Sequence, residues 1–102
     1  MLYITVKLYG KNGIPGEFRE YENKALKIFK QHAGEVLVAY VPVREPGNAD
    51  IPDEIQILRI ENQARLDEFM QDPERTKMAA ERERVIRKTE LYISQELVNY
   101  PE

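Results

Sequence analysis

The chain has 102 residues, no cysteine, one histidine, 15 basic and 18 acidic side chains, and a net charge of -3. This length predicts a single domain, 1–102, with one modest core, and the lack of cysteine excludes disulfides, thiolate nucleophiles and sulfur-ligated metals. The charge does not favour nucleic acid or anionic lipid, no apolar window approaches the ~20 residues of a membrane span, and we expect a cytoplasmic location.

The first half of the chain predicts a strand, a loop, a helix and a second strand. The first strand carries one wholly apolar face, formed by Leu2, Ile4, Val6 and Leu8. Three glycines and Pro15 make 10–16 a loop, and from Glu17 the apolar residues follow the spacing of a helix that Gly34 is expected to end. The segment 35–41 is apolar on both faces, which predicts a covered strand.

The second half predicts a long connection, a third strand, a broken helix and a final strand. Two prolines and a glycine make 43–53 an exposed connection, and 54–60 is extended again. Asn62 is expected to cap a short helix, and Asp72 followed by Pro73 is expected to start the helix afresh. The helix is predicted to continue to about Lys88, with alternation resuming from 89 to 98.

This order of elements is β-α-β-β-α-β, which predicts an α+β, ferredoxin-like fold: a four-stranded antiparallel sheet with both helices on one face. The other face of such a sheet should be polar, yet apolar side chains occur on both sides of the strands. The outer candidates are Leu37, Ala39 and Val41 in the second strand, Ile55 and Ile57 in the third, and Tyr3 and Tyr9 in the first.

An exposed apolar patch of that extent indicates an interface, and we expect a homodimer whose sheets face each other. Lysine at Leu37 or Val41 should then produce monomers. The alternative is a monomer with an amphipathic outer face.

Three segments carry a family resemblance: FREYE at 18–22, QHAG at 31–34 and LDEFMQDPER at 66–75. With them the chain resembles small uncharacterised members of the dimeric α/β-barrel superfamily, which includes antibiotic-biosynthesis monooxygenase-like and stress-responsive barrel proteins. The resemblance implies a homodimer with a cavity between helices and sheet. Cofactor-independent monooxygenases of this superfamily oxidise polycyclic aromatic compounds, and other members isomerise or dehydrate small ring compounds.

The supply of residues does not favour several activities. Haem-degrading members of the superfamily use a tryptophan, and this chain has none. With one histidine and no cysteine, the chain lacks the ligands for a zinc or iron site built from these residues, so we expect neither a metal nor a cofactor. Ser94 lies in a predicted strand without a nucleophile-elbow motif, and the glycine loop 10–16 matches no phosphate-binding pattern.

His32 is the candidate catalytic residue. It falls on the apolar stripe of the first helix, one turn from Ile28 and Phe29. Because histidine changes charge near neutral pH, an inward-facing His32 could act as a general base. The alternative is a histidine packed at the end of the helix, where it suits the last carbonyl groups.

Three further residues are candidates for ligand binding: Arg82, Tyr21 and Tyr40. Arg82 lies on the inward stripe of the second helix, where it must meet an anionic ligand or form an ion pair, for which Glu22 is the suggested partner. The two tyrosines could donate to a ligand oxygen, or could pack as large apolar bodies.

Two functions therefore stay open. One is binding or transformation of a small apolar or aromatic molecule, monooxygenase-like, in a cavity between helices and sheet. The other is a non-catalytic assembly or protein-interaction module with a packed interior. A cavity of roughly 300 Å³ or more that reaches His32 would favour the first function.

Overall fold

The computed structural model describes residues 1–48 and 50–101. The elements in these residues are β1 (Leu2–Gly10), α1 (Pro15–Gln31), β2 (Glu35–Tyr40), β3 (Glu54–Ile60), α2 (Gln63–Met70), α3 (Pro73–Thr76), α4 (Ala79–Val85) and β4 (Ile86–Ser94). The strands form one four-stranded sheet in the order β2-β3-β1-β4, and every neighbouring pair is antiparallel. The predicted ferredoxin-like α+β fold is confirmed.

The core lies between the inner face of the sheet and α1. Alternate residues of β1 and β3 point inward, and on β1 the predicted apolar face, Leu2, Ile4, Val6 and Leu8, is buried throughout. From α1, Phe18, Tyr21 and Phe29 pack against this face. No helix in the described residues is long and apolar enough to cross a membrane.

A bulge in β2 corrects the predicted assignment of its faces. The register of β2 on β3 shifts between Val36 and Val38. Ala39 therefore lies opposite Gln56 on the inner face, and Val38 lies opposite Ile57 on the outer face. The prediction that Ala39 shares an outward face with Leu37 is wrong, because strict alternation does not survive the extra residue.

The second helical stretch is broken into three short helices, α2, α3 and α4. Asn62 caps α2 by accepting a hydrogen bond from the Arg65 amide at 2.9 Å, and Asp72 caps α3 through the Glu74 amide at 2.8 Å. Both predicted caps are confirmed. The prediction that the helix continues to Lys88 is wrong, because α4 ends at Val85 and β4 begins at once with Ile86, which pairs with Gly10.

The end of α1 differs in detail from the prediction that Gly34 stops the helix. The amides of Ala33 and Gly34 donate to the carbonyls of Lys30 and Phe29, each at 3.1 Å, which is a Schellman motif. The left-handed residue of this motif is Ala33, with φ 62°, rather than the glycine. Gly34 is required for a different reason, because a Cβ there would lie 2.4 Å from atoms of the Phe29 ring.

Two neighbouring substitutions should therefore act in opposite directions. Gly34→Ala should lower the free energy of unfolding by about 1–3 kcal/mol, since the new methyl group displaces the buried Phe29 ring. Ala33→Gly should raise it by up to about 1 kcal/mol, since glycine adopts the left-handed conformation without a Cβ penalty. Urea denaturation of both variants tests this, with Gly16→Ala, whose Cβ would meet open space, as the control. A lower free energy of unfolding for Ala33→Gly would contradict the view that Ala33 is strained in its left-handed conformation.

Candidate functional site

A cavity of about 140 Å³ lies between α1, the short helices and the inner face of the sheet. Its wall is mostly apolar and is formed by residues of the helices α1, α2, α3 and α4 and of the strands β1, β3 and β4. The apolar lining includes Ile4, Val6, Leu8, Ala25, Leu26, Phe29, Leu58, Leu66, Phe69, Met70, Ile86 and Leu91, and the polar lining is Tyr21, Glu22, Gln56, Arg75, Arg82 and Thr89. An apolar hollow with a few inward polar groups is the usual form of a small-molecule site.

Glu22 is the acid of this cavity, and it is almost fully buried, with 7% of its surface exposed. It follows Tyr21 on α1, so that both side chains point from the helix toward the sheet. Its Oε1 accepts a hydrogen bond of 2.9 Å from Nε2 of Gln56, on the inner face of β3. The same nitrogen donates to Oε2 of Glu54 at 2.7 Å. One amide thus joins two buried carboxyl groups.

The two carboxyl groups differ in their further partners. Oε1 of Glu54 lies 3.5 Å from Nε of Arg19, so Glu54 has a cationic neighbour. No salt bridge is formed by Glu22 within the described part of the chain. The polar groups that act on Glu22 are the Gln56 amide, the Glu54 carboxyl group, Arg82 and Arg75.

The pKa of Glu22 is raised to about 7, mainly by burial and to a smaller extent by the charge of Glu54, while the hydrogen bond from Gln56 lowers it. Arg82 and Arg75 also lower this pKa. Burial also raises the pKa of the adjacent Tyr21 phenol. The result is an acid that exchanges its proton near neutral pH inside an apolar cavity, which is a frequent property of functional sites.

Arg82 reaches the cavity from α4, as predicted, together with Tyr21 from α1. The predicted ion pair of Arg82 with Glu22 is absent from the contacts of the described residues. Nη2 of Arg82 instead donates to Oγ1 of Thr89 on β4, at 2.8 Å. Arg75 lines the same cavity, and its guanidinium lies 5.3 Å from the centre of the Phe69 ring.

His32 lies away from this cavity. Its Nε2 is 2.7 Å from Oδ2 of Asp72, which caps α3, and its ring packs edge-on against Phe69 at 6.2 Å. The hydrogen bond to His32 is the main cause that lowers the pKa of Asp72. His32 therefore joins the end of α1 to the break between α2 and α3, and its catalytic role stays an untested prediction that this placement does not support.

Tyr40 lies on a different surface. It lines an open groove between α1 and the end of β2, together with Arg19, Leu26 and Glu54. Glu22 also lines this groove, so its carboxyl group lies in the wall between the groove and the cavity. The structure thus brings Arg82 and Tyr21 together and leaves Tyr40 and His32 outside the cavity.

Sequence reasoning missed Gln56 and Arg75 altogether and treated Glu22 only as a partner for Arg82. The signal for Gln56 was present, since it occupies an inward position of β3 between Glu54 and Leu58 where an apolar residue is expected. A polar residue in such a position needs a buried partner. Among the described residues, no cluster of three or more acidic or histidine side chains could hold a metal ion.

No protein-family model and no curated protein matches the sequence. Solved structures do share its fold. A NIPSNAP-family protein of unknown function from Agrobacterium tumefaciens has a TM-score of 0.70 and 20% identity over 99% of this chain and 92% of its own. A protein of the DABB family from Mesorhizobium loti has a TM-score of 0.64 and 17% identity, covering 95% and 97%.

A third similar structure is SnoaB from Streptomyces nogalater, a cofactor-independent oxygenase, with a TM-score of 0.71 and 14% identity over 99% of this chain and 97% of its own. The chain has the ferredoxin-like fold of these proteins. The resemblance predicted from 18–22, 31–34 and 66–75 is confirmed at the level of fold. Function has to be argued from the cavity itself.

The buried carboxyl group predicts how stability depends on pH. Burial makes the folded chain bind the Glu22 proton more tightly than the unfolded chain, whose pKa is near 4.5. The contribution of Glu22 to stability should therefore be most favourable below pH 4.5, fall as the pH rises from there, and have decreased by up to ~3 kcal/mol once the pH passes about 7. Glu22→Gln keeps the acceptor for Gln56 and removes this loss.

Urea denaturation at pH 5 and pH 8 measures the effect. Glu22→Gln should stabilise the chain at pH 8 and change it little at pH 5. The control is Glu20→Gln on the same helix, because the Glu20 side chain is 69% exposed and should not alter the slope. An unchanged pH slope in Glu22→Gln would show that Glu22 is not the group that titrates.

Proposed function

We propose that the chain binds a small, largely apolar molecule in the cavity between helices and sheet and exchanges a proton with it through Glu22. The observation that carries this proposal is the burial of a carboxyl group with a pKa of about 7 in the wall of an apolar cavity. A general base is most effective when its pKa lies near the working pH. A purely structural acid would be expected to have a cationic partner, as Glu54 has in Arg19.

The proposed step is a deprotonation. The Glu22 carboxylate takes a proton from an acidic C–H or O–H of the ligand: that bond breaks, an O–H bond forms on Glu22, and the electron pair stays on the ligand. Gln56 fixes the carboxylate by donating to Oε1. Because Glu22 also lines the groove beside Tyr40, its proton can exchange with solvent there without passing the ligand.

The size of the cavity limits the ligand. About 140 Å³ is less than the ~300 Å³ at the lower end of ligand pockets, and it is close to the ~150 Å³ of an engineered cavity that binds benzene. A single ring fits this space better than the polycyclic compounds implied by the family resemblance. The cavity is smaller than ~300 Å³ and does not reach His32, so the size and position expected from the sequence for a ligand-binding protein are not met. The acid in its wall is the reason for preferring ligand binding to the alternative function, a module with a fully packed interior.

Monooxygenase-like chemistry stays a prediction. Proton transfer by Glu22 needs no cofactor, which agrees with a structural neighbour that is a cofactor-independent oxygenase. The cytoplasmic location likewise stays a prediction, based on the absence of cysteine.

Acetophenone is a suitable probe, since it has one ring and an acidic methyl group. We expect it to bind, as seen by NMR shifts of cavity residues, and to exchange its methyl protons in D2O faster with the protein than without it. Ala25→Leu adds an isopropyl group to the cavity wall and should weaken binding by roughly tenfold or more. Glu22→Gln should retain binding and lose the catalysed exchange.

The matched control for Glu22→Gln is Glu68→Gln, on an exposed face of α2, which should leave both binding and exchange unchanged. Binding without catalysed exchange in the natural chain would refute the role of Glu22 as a base. Failure of acetophenone to bind would refute the cavity as its site.

We further propose that the chain forms a homodimer through the outer face of the sheet. The register places two rows of side chains across all four strands on this face: Val38, Ile57, Thr5 and Tyr92 in one row, and Tyr40, Ile55, Lys7 and Glu90 in the other. Val38 and Tyr92 are 46% and 56% exposed. A second copy would cover this apolar surface, and the bulge in β2 makes Val38 its contact residue in place of Ala39.

Sedimentation at micromolar concentration tests the dimer. The natural chain should sediment at twice its mass of 12.0 kDa, and Val38→Lys should sediment as the single chain. Val43→Lys is the matched control, because Val43 lies in the connection after β2 and is 84% exposed. A natural chain that sediments at 12.0 kDa would exclude the dimer.

A further inference from the structure

The arginines divide into two groups. Of the eight in the sequence, five form salt bridges with carboxylates within the described residues: Arg19, Arg44, Arg59, Arg65 and Arg84. Arg75, Arg82 and Arg87 form none there. Arg87 stacks on Tyr9 at 5.3 Å, and the other two line the cavity. Two arginines without a carboxylate partner in the described residues thus line the same small cavity.

Both guanidinium groups are oriented by neutral groups. Nη2 of Arg82 donates to the Thr89 hydroxyl at 2.8 Å, and Nη1 of Arg75 donates to the Met70 carbonyl at 3.1 Å. A guanidinium group has five N–H donors, so most donors of each arginine are left for another acceptor. Neutral partners fix the side chains without balancing their charge.

The positive charges of Arg82 and Arg75 act on the two acidic groups of the cavity, Glu22 and Tyr21. Arg82 and Arg75 each act to lower the pKa values of Glu22 and Tyr21. Among the described lining residues, Glu22 is the one acid, so the two arginines exceed it by one charge when it is ionised. One further negative charge, on a ligand, would make the cavity neutral.

We propose, building on the function proposed above, that the ligand is a small anion: a single-ring or similarly sized carboxylate or 2-oxo acid whose oxygen atoms are bound by Arg82 and Arg75. Planar, two-pronged hydrogen bonding makes arginine well suited to a carboxylate or an enolate. When Glu22 removes a proton from the carbon next to the ligand carbonyl, the electron pair moves onto the carbonyl oxygen. That oxygen becomes an enolate beside a fixed positive charge, which stabilises it.

Benzoate and benzamide separate the charge of the ligand from its shape, because they differ in charge and share one ring and one planar substituent. Binding of each is measured by NMR titration at pH 6 and low ionic strength, where Glu22 is largely protonated and does not repel benzoate. We expect benzoate to bind at least about tenfold more tightly than benzamide. Arg82→Gln and Arg75→Gln should each reduce that ratio, because each weakens the binding of benzoate more than that of benzamide.

Arg65→Gln is the matched control, since Arg65 pairs with Glu61 and Glu68 on the surface of α2 and should not alter the ratio. Equal binding of benzoate and benzamide, or a ratio that Arg82→Gln and Arg75→Gln do not change, would overturn the anion proposal and leave the apolar cavity and its base in place. Failure of both compounds to bind would overturn the anion proposal together with the cavity as a ligand site.

Discussion

The site depends on one amide group. Gln56 occupies an inward position at the centre of the sheet, and its nitrogen donates to Glu22 on α1 and to Glu54 on β3. Both carboxyl groups are buried, so without this donor the loss of their hydration would be largely uncompensated. The amide therefore permits an acid within the core, and it ties the register of β3 to the position of α1.

The two acids that share this amide differ in their charged neighbours, because Arg19 lies beside Glu54. Arg19 neutralises Glu54 from the exposed side, whereas Glu22 has the apolar cavity in front of it. The burial that raises the pKa of Glu22 also costs folding free energy above that pKa. Glutamine or an apolar residue at position 22 would avoid this cost, which is why we assign the acid to the proposed proton transfer and not to stability.

Much of the fold could be predicted from the sequence, because alternation and helical spacing report local geometry. The order of strands and helices along the chain, the two caps at Asn62 and Asp72 and the buried face of β1 followed from local patterns alone. The covered strand expected at 35–41 did not, because β2 lies at the edge of the sheet. The bulge in β2 could not be predicted in this way, because an extra residue changes which side chains face the core without changing the amino-acid composition of the strand. Glu22 lies on α1 and His32 directly follows it, and which of the two meets a cavity depends on where Phe69 and Asp72 of distant elements pack.

The break in the second helical stretch explains why there is a cavity at all. A single long helix would cover the inner face of β4, but α2, α3 and α4 turn twice and leave Leu91 and Ile93 each 45% exposed. The turns also place Arg75 and Arg82 on separate short helices that approach the same cavity. Asp72, which caps α3, and Pro73, its first residue, thus produce a turn that leaves room for the cavity and places the two arginines beside it.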